Sequence, residues 1–478
     1  MPEDTSPILN SSAAKTIVES FLSSTKETTG RRISQFKKYE VFVSDNDQWD
    51  KADLPDGDKP ALTFNQCEDY INTYLAKLFP RNPETGALEI GVKVKEKDKT
   101  KKEQYESEII GVYEDSNIAE ILLEQGQNFL IGGDGCLYFP RDPITNRAKI
   151  ISINPTSVYL GWKNSKLEQF AFEDEISLAE AETQKKDNWL IAAIKTFLGS
   201  DQGADSKFKK ITRLTYWDAN YQIIKVENQF EVRENSDGFI PFAWIPNKPK
   251  SHSHEGRSEA KSLFDLEKQY NERSSDFAER VKSNTKAVLA TYSELDATTL
   301  ERDEIKGILA MNQGDKAEFL HLTENKEVLE FIDMIERKMD KKMAINDAVN
   351  GQIKSNVSSL AMMYYFSPLL DRIGLKRVYW DTALRELNKA ILFYRFGKNV
   401  YRTEPIYQPV MMVDTESKIK NTILLLENRL ISHKDAIDIL RGSENSIEKF
   451  NEIKTEFEEL AKIDGFLTTK TKTPTQAA

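Results

Sequence analysis

The chain has 478 residues, of which 77 are acidic and 66 are basic, giving a net charge of −11. The length suits two to four packed units, and 30% charged residues predict ample water-exposed surface. The acidic balance argues against a protein that grips DNA tightly, because lysine and arginine contacts to phosphates supply most non-specific affinity.

Membrane, secreted and disulfide-bonded proteins are also disfavoured. No apolar run reaches the length of a membrane-spanning helix, and MPEDTSPILNSS lacks the pattern of a signal peptide. Cys67 and Cys136 stand in apolar settings without CxxC or Cys–His spacing. We therefore expect two buried thiols in a reducing compartment, with neither a disulfide nor a structural zinc site.

The N-terminal part reads as mixed helix and strand. The predicted elements are a short helix at 13–28, a strand in KKYEVFVSDNDQW, a helix at 65–79, a strand at 88–97 and a long helix at 103–130. The glycines of IGGDGCLYF follow a helix and precede a strand, the reverse of a phosphate-binding loop. We interpret them as a turn that ends the helix.

Residues 136–246 have β character, with one predicted helix at 177–198. Two long helices are predicted next, at 258–284 and 323–349, and they flank a β unit with a hairpin around Gln313-Gly314-Asp315. Because the chain goes out and returns, we expect the two helices to be antiparallel neighbours.

The stretch NGQIKSNVSS separates the second long helix from another at 359–396. The apolar pattern stops at Asn350-Gly351 and resumes at Leu360, and Pro368 predicts a kink near Phe366-Ser367. The last part is helical, at 414–429, in SHKDAIDILRG with Ser432 as N-cap, and at 444–463.

The residues give no catalytic chemistry to assign. His252-Ser253-His254 is the one close histidine pair, and we interpret it as an exposed loop in preference to a metal site. His321 and His433 are isolated, and neither GxSxG nor a Walker loop occurs. We therefore predict no enzyme activity, no metal and no cofactor.

The order of elements resembles the portal proteins of tailed bacteriophages. Five stretches carry the resemblance: KKYEVFVSDNDQW with PALTFNQCEDYINTYLAKLF, KIISINPTSVYLGW, GRSEAKSLFDLEKQYNERSSDFAERVKSN, NGQIKSNVSSLAMMYYFSPLLDRIGLKRVYW and RLISHKDAIDIL. Each is weak alone, and their order over residues 31–442 is the argument. The chain departs from the family at NVSSLA, which lacks the family's glycines, and in the insert at 177–205.

The resemblance implies an α+β portal-type fold. Its parts would be a mixed α/β wing, two antiparallel stem helices, a small β-rich clip and a helical crown. In this sequence they would be the wing at 1–257 and 359–413, the stem at 258–284 and 323–349, the clip at 285–322, a channel loop at 350–358 and the crown at 414–478.

The resemblance also implies function and partners. Such a protein forms a ring of identical subunits, twelve in virions, at one capsid vertex, and double-stranded DNA passes through it without sequence preference. Further implied partners are the terminase large subunit, a head–tail adaptor, and the major capsid and scaffolding proteins, with no membrane. Assembly would take place in the host cytoplasm.

Three groups of site residues follow from this map. The DNA-facing loop would be Gln352, Lys354, Ser355, Asn356 and Ser358, and the clip docking surface would include Asn312, Gln313 and Asp315. Arg337, Lys338, Lys341 and Lys342 form the basic end of the second stem helix. They either complement the helix dipole on a solvated face or form cationic rings in the channel, and both can hold.

Two other classes of function stay open at the level of sequence. One is a different structural virion or helical scaffold protein. The other is a metal-dependent nuclease built on the β region at 136–246, for which His252 and His254 would be the residues to test.

Overall fold

The computed structural model describes most of the chain. The described residues are 9–44, 62–82, 85–183, 188–198, 208–249, 251, 253–285, 288–292, 316–320, 326–346, 349, 359–397, 401–410, 415–441 and 451–455. The chain divides into two units, Met1–Gln408 and Pro409–Ala478.

The elements are as follows. The helices are α1 Ser11–Ser44, α2 Gln66–Leu78, α3 Lys99–Asp115, α4 Ile118–Ile131, α5 Leu178–Thr183, α6 Asn188–Leu198, α7 Ala260–Thr285, α8 Lys326–Met343, α9 Ser359–Phe396, α10 Thr415–Glu427 and α11 His433–Arg441. The strands are β1 Ile90–Val94, β2 Asp134–Tyr138, β3 Val158–Lys163, β4 Lys166–Ile176, β5 Ile211–Trp217, β6 Tyr221–Val226, β7 Gln229–Glu234, β8 Phe242–Pro246, β9 Val288–Tyr292, β10 Lys316–Leu320 and β11 Thr403–Tyr407.

Helix α1 corrects the first prediction. The strand expected in KKYEVFVSDNDQW is helical up to Ser44, continuous with the helix predicted at 13–28. A strand would place Tyr39, Val41 and Val43 on one face. Instead Val41 is 38% exposed, while Phe36, Tyr39 and Val43 are buried at the i, i+3, i+7 spacing of a helix.

The predicted helix at 103–130 is two helices. Asn117 adopts a left-handed conformation (φ 49°) between α3 and α4, which asparagine tolerates better than most residues. The break lets both helices bury apolar residues, Ile109 and Tyr113 on α3 and Leu122 and Phe129 on α4.

The main core lies among α2, α4 and α9. Trp380 of α9 is fully buried and meets Phe79 and Phe129 edge to face, with ring centroids 4.8 and 5.8 Å apart. Beside it, β1 pairs antiparallel with β11, Ile90 opposite Tyr407. The core therefore joins segments from the two ends of the first unit.

Strands β3 to β7 of the region with predicted β character form a five-stranded antiparallel sheet in the order β3-β4-β5-β6-β7, while β8 pairs with β2. Alternate residues of β4 face opposite sides: Ala171 packs with α1, while Phe170 and Phe172 pack towards β2 and β8. The helix predicted at 177–198 is described as α5 and α6, which cover the sheet at Ile176, Ile211 and Val226.

The glycine turn after α4 ends that helix, as expected. Gly133 has φ 99°, and its carbonyl accepts a hydrogen bond from the Asn247 N–H at 2.7 Å. A Cβ on Gly256 would lie 1.8 Å from the Gly133 carbonyl oxygen. Only glycine therefore lets the two backbones approach this closely.

A buried ion cluster joins the start of α7 to α9. Lys376 and Glu259 are each 2% exposed and form a salt bridge, and Lys248 contacts the other Glu259 oxygen at 2.8 Å. Asn247 Oδ1 accepts from Lys376 Nζ at 2.8 Å. Burial raises the pKa of the Glu259 carboxyl, but the two lysines outweigh it and hold that pKa at about 2. Burial lowers the pKa of Lys376 to about 8, so both groups are charged at neutral pH.

The second unit contains α10 and α11, which pack against each other. Ser432 caps α11 as predicted: its hydroxyl accepts from the Asp435 N–H at 3.1 Å, and Asp435 accepts from the Ser432 N–H at 3.0 Å. This reciprocal pair has the geometry of a capping box.

Candidate functional site

Helix α8 is strongly amphipathic. Ile332, Ile335, Met339 and Met343 are buried and recur every three to four residues, so they form one stripe. The exposed residues change along the helix from Glu327, Glu330 and Asp333 to Arg337, Lys338, Lys341 and Lys342. Cations at a helix C-terminus also complement its dipole.

The helix ends earlier than predicted, at Met343 instead of Val349. Ala344 is left-handed (φ 53°), its N–H donates to the Lys341 carbonyl, and the Ile345 N–H donates to the Asp340 carbonyl at 3.0 Å. These bonds form a Schellman motif with buried Ile345 as its apolar residue. The sequence pattern missed the end because Ile345 and Val349 continue the apolar spacing.

Helices α7 and α8 pack against each other with opposite directions. Lys342, near the end of α8, donates from Nζ to the carbonyl of Ser262, near the start of α7, at 2.8 Å. At the other end, β9 follows α7 and pairs antiparallel with β10, which precedes α8. The turn predicted between these strands, at 313–315, lies outside the described residues.

Arg372 of α9 lies beside the end of α8, where the four predicted basic residues are, and is a fifth cation there. Its guanidinium donates to the Lys342 carbonyl and, at 3.5 Å, to the Tyr74 hydroxyl. Sequence reasoning missed it, although an arginine one turn after Pro368 in an apolar helix is a signal for a second helix nearby.

An open hollow lies between the end of α8 and the start of α9. It has a volume of about 440 Å³ and is lined by Arg337, Asp340, Lys341, Ala344, Ile345, Asn346, Pro368 and Arg372. Three of its charged residues are cations, and its carboxylate, Asp340, accepts a hydrogen bond from the Tyr70 hydroxyl at 2.8 Å. The hollow therefore favours anions.

Nearby, Asn346 connects the two helices that flank the predicted loop. Its side-chain nitrogen donates to the carbonyl of Tyr365 on α9 at 2.7 Å, and its side-chain oxygen accepts from the Val349 N–H at 3.1 Å. The predicted loop residues Gln352, Lys354, Ser355, Asn356 and Ser358 and the predicted clip residues Asn312, Gln313 and Asp315 lie outside the described residues.

The histidine loop differs from its interpretation as freely exposed. His254 is half-buried and its ring stacks on Trp162, with centroids 3.9 Å apart, while the Trp244 indole N–H donates to its carbonyl. His252 lies outside the described residues. Cys67 and Cys136 are buried free thiols, as predicted.

Within the described ranges, no three or more histidine, cysteine or carboxylate side chains come together as metal ligands. No described helix combines the length and apolar character that crossing a bilayer would require. The candidate functional site is the cationic end of α8 together with Arg372. Exposed lysine and arginine side chains contact phosphate without reading a base.

The comparisons with known proteins agree with the sequence resemblance. A family model described as "Phage portal protein, SPP1 Gp6-like" matches residues 69–462. No curated protein sequence matches the chain.

Proposed function

The chain belongs to the phage portal protein family, and on that premise we propose that it forms a ring, twelve subunits in the virion, through which the viral DNA enters and leaves the capsid. Membership of this family makes it a structural component of a phage particle. The ring would stand at one capsid vertex and bind the terminase and later the head–tail adaptor.

We also propose which elements of the chain form each part of the ring. Helices α7 and α8 would form the stem, with β9 and β10 in the clip and α10 and α11 in the crown. The remaining first unit would form the wing, and residues 350–358 the channel loop. Terminase and adaptor would bind at a clip surface that includes Asn312, Gln313 and Asp315.

The observation that carries the proposal is the cationic end of α8. Arg337, Lys338 and Lys341 are exposed there, and Asn346 and Arg372 connect the same end to α9. The chain leaves α8 and returns in α9 at this place, so these cations lie at the base of the proposed channel loop. These cations would contact DNA phosphates beside that loop.

Weak contact suits a channel better than tight binding. Six to ten phosphate contacts change affinity by about 10³–10⁵ between low and moderate salt, so a densely basic bore would hold the DNA. Twelve chains of −11 give a ring of about −132. Overall repulsion with a few local cations keeps the duplex mobile.

Electron microscopy of the purified protein tests the ring. We expect negative-stain images to show closed rings with a central hole, because a head-to-tail interface that closes generates a ring. Rods or single chains would instead favour a scaffold protein and remove the proposed channel.

Deletion of residues 352–357 tests the loop. We expect rings to form at the normal yield while particles package or retain less DNA, because the deleted residues would contact DNA and not the neighbouring subunit. The measurements are ring yield by imaging and DNA content of particles. Loss of assembly would show that the segment is a subunit interface.

A further inference from the structure

Residues 62–66, the segment that leads into helix α2 and includes its first residue, run along one side of α7. The backbone N–H of Leu62 donates to Ser275 Oγ at 2.9 Å, that of Phe64 to Asn271 Oδ1 at 3.2 Å and that of Gln66 to Glu267 Oε1 at 2.9 Å. We call these five residues the strap.

The spacing of the donors along the strap and of the acceptors along α7 explains why the three hydrogen bonds form. Leu62, Phe64 and Gln66 are alternate residues of the strap, which turns at the left-handed Asn65 (φ 46°), and residues four apart on a helix are about 6.0 Å apart. Glu267, Asn271 and Ser275 are spaced i, i+4, i+8, so each faces one alternate N–H of the strap. The Phe64 ring also packs edge to face on Tyr270, with centroids 5.4 Å apart.

Glu267 differs from Asn271 and Ser275, the other two side chains of α7 that accept hydrogen bonds from the strap. Its side chain is fully buried, and within the described part of the chain its Oε2 atom has no hydrogen-bond partner. Asn65, the N-cap of α2, makes no side-chain capping bond. The N–H groups of Gln66 and Cys67, which have no acceptor within α2, donate to the Glu267 carboxyl instead.

We infer that the strap is a proton-sensitive attachment, held on α7 while the Glu267 carboxyl is protonated and loosened when that carboxyl ionises. A buried carboxylate with one unsatisfied oxygen is costly, whereas the neutral acid is much less so. Release of the strap exposes Glu267 to water, which favours the charged form. It also leaves the first turn of α2 uncapped.

The charged groups around Glu267 also favour the protonated form of its carboxyl. Burial raises its pKa to about 7, with Asp69 contributing and the two N–H groups opposing. Lys376 is already paired with Glu259, and Lys38 lies over the Phe264 ring. The other titratable groups that interact with Glu267 are Cys67 and Tyr70 of α2 and Tyr270 of α7. The carboxyl groups of α8, at Asp333, Glu336 and Asp340, act on Tyr70 or Tyr270.

The sign of the pH effect follows. A carboxyl has a pKa of 4.5 when free and about 7 in the attached state, so attachment takes up a proton between these values. Attachment weakens as pH rises through this window and then levels off. From pH 5.5 to pH 7.5 the attachment constant should fall by roughly 20-fold.

Hydrogen exchange of the full-length protein tests the inference. Protection factors of the Phe64 and Gln66 amides, corrected for the intrinsic pH dependence of exchange, should fall by roughly 20-fold over that range. Glu267→Gln should make them independent of pH, because a neutral amide replaces the titrating group. Asn271→Ala should lower the Phe64 protection and keep the pH dependence.

Glu336→Gln is the matched control. Burial also raises the pKa of the Glu336 carboxyl, but this residue lies on α8 and not at the strap, so the pH dependence should persist in the variant. Wild-type protection that does not change with pH overturns the inference, whether or not the variants fold. A pH dependence that survives Glu267→Gln also overturns it.

Discussion

Replacing Lys376 by methionine is expected to lower the free energy of unfolding by about 3–5 kcal/mol. The side chain is 2% exposed and pairs with the equally buried Glu259. Removal of the cation leaves the carboxylate with Lys248, which is 51% exposed, and with Asn247. Denaturant unfolding followed by far-UV circular dichroism measures the loss.

Lys248→Met is the matched control for this prediction. It removes the same kind of cation from the same carboxylate, at a place where water screens the charge. The expected cost is at most about 1 kcal/mol. An equal cost for the two lysine variants would show that burial of the pair does not matter.

A double variant separates charge from packing. Glu259→Leu combined with Lys376→Met removes both charges, and we expect it to recover at least about half of the loss, because no uncompensated charge stays buried. If the double variant is as unstable as the sum of the single ones, the cluster acts through packing and not through its charges.

The second large effect is expected at the cationic end of α8. Replacing Arg337, Lys338 and Lys341 together by glutamine should weaken binding of double-stranded DNA by purified rings and lower the DNA content of particles. For every phosphate that the variant no longer neutralises, the slope of log affinity against log salt should become shallower by about 0.9. Duplex binding over a series of salt concentrations measures this slope.

Lys342 and Arg372 are left unchanged in that variant. Lys342 donates to the Ser262 carbonyl of α7, and Arg372 donates to the Lys342 carbonyl. Their replacement would disturb the packing of α7, α8 and α9 as well as the charge.

Lys326→Gln supplies the control on the same helix. Lys326 lies at the opposite end of α8, where it pairs with Glu330 at 3.8 Å. Lys341→Gln should reduce the salt slope while Lys326→Gln leaves it unchanged. If both single variants have the same effect, net charge and not the position of the cations governs DNA binding.

The sequence predicted most elements because their apolar residues repeat at regular intervals. The helices α2, α7 and α11 lie close to where periodicity places them, and strands β5–β7 lie within the region of predicted β character. The predicted family is confirmed by the match over residues 69–462. The parts of the ring and their boundaries stay predictions.

The failures have a common physical origin. Residues 37–44 alternate well enough for a strand, and only packing of Phe36, Tyr39 and Val43 against other segments selects the helix. The end of α8 depends on a left-handed alanine, a conformation that composition does not predict. In both places tertiary contacts decide between local structures of similar energy.

The candidate site was predictable only where its residues lie on one helix. The four cations of α8 lie close together on one helix and are therefore visible in the sequence. Arg372 lies 30 residues after Lys342 and reaches it only through the packing of α9. The strap on α7 likewise joins residues about 200 positions apart, and nothing in either segment alone indicates the other.

The pairing of β1 with β11 has a consequence for folding during translation. Ile90 lies opposite Tyr407, so the ribosome must add roughly 300 residues after β1 before its partner exists. At about 5–20 residues per second this takes about 15–60 s. Trp380, which fills the space between Phe79 and Phe129, also arrives late.

During that interval the nascent chain carries an unpaired strand and two helices whose apolar faces lack their neighbour. Premature termination anywhere before α9 leaves the same surfaces uncovered for good. Incomplete products are therefore prone to aggregate, whereas the five-stranded sheet, with a closely spaced meander, can form while synthesis continues.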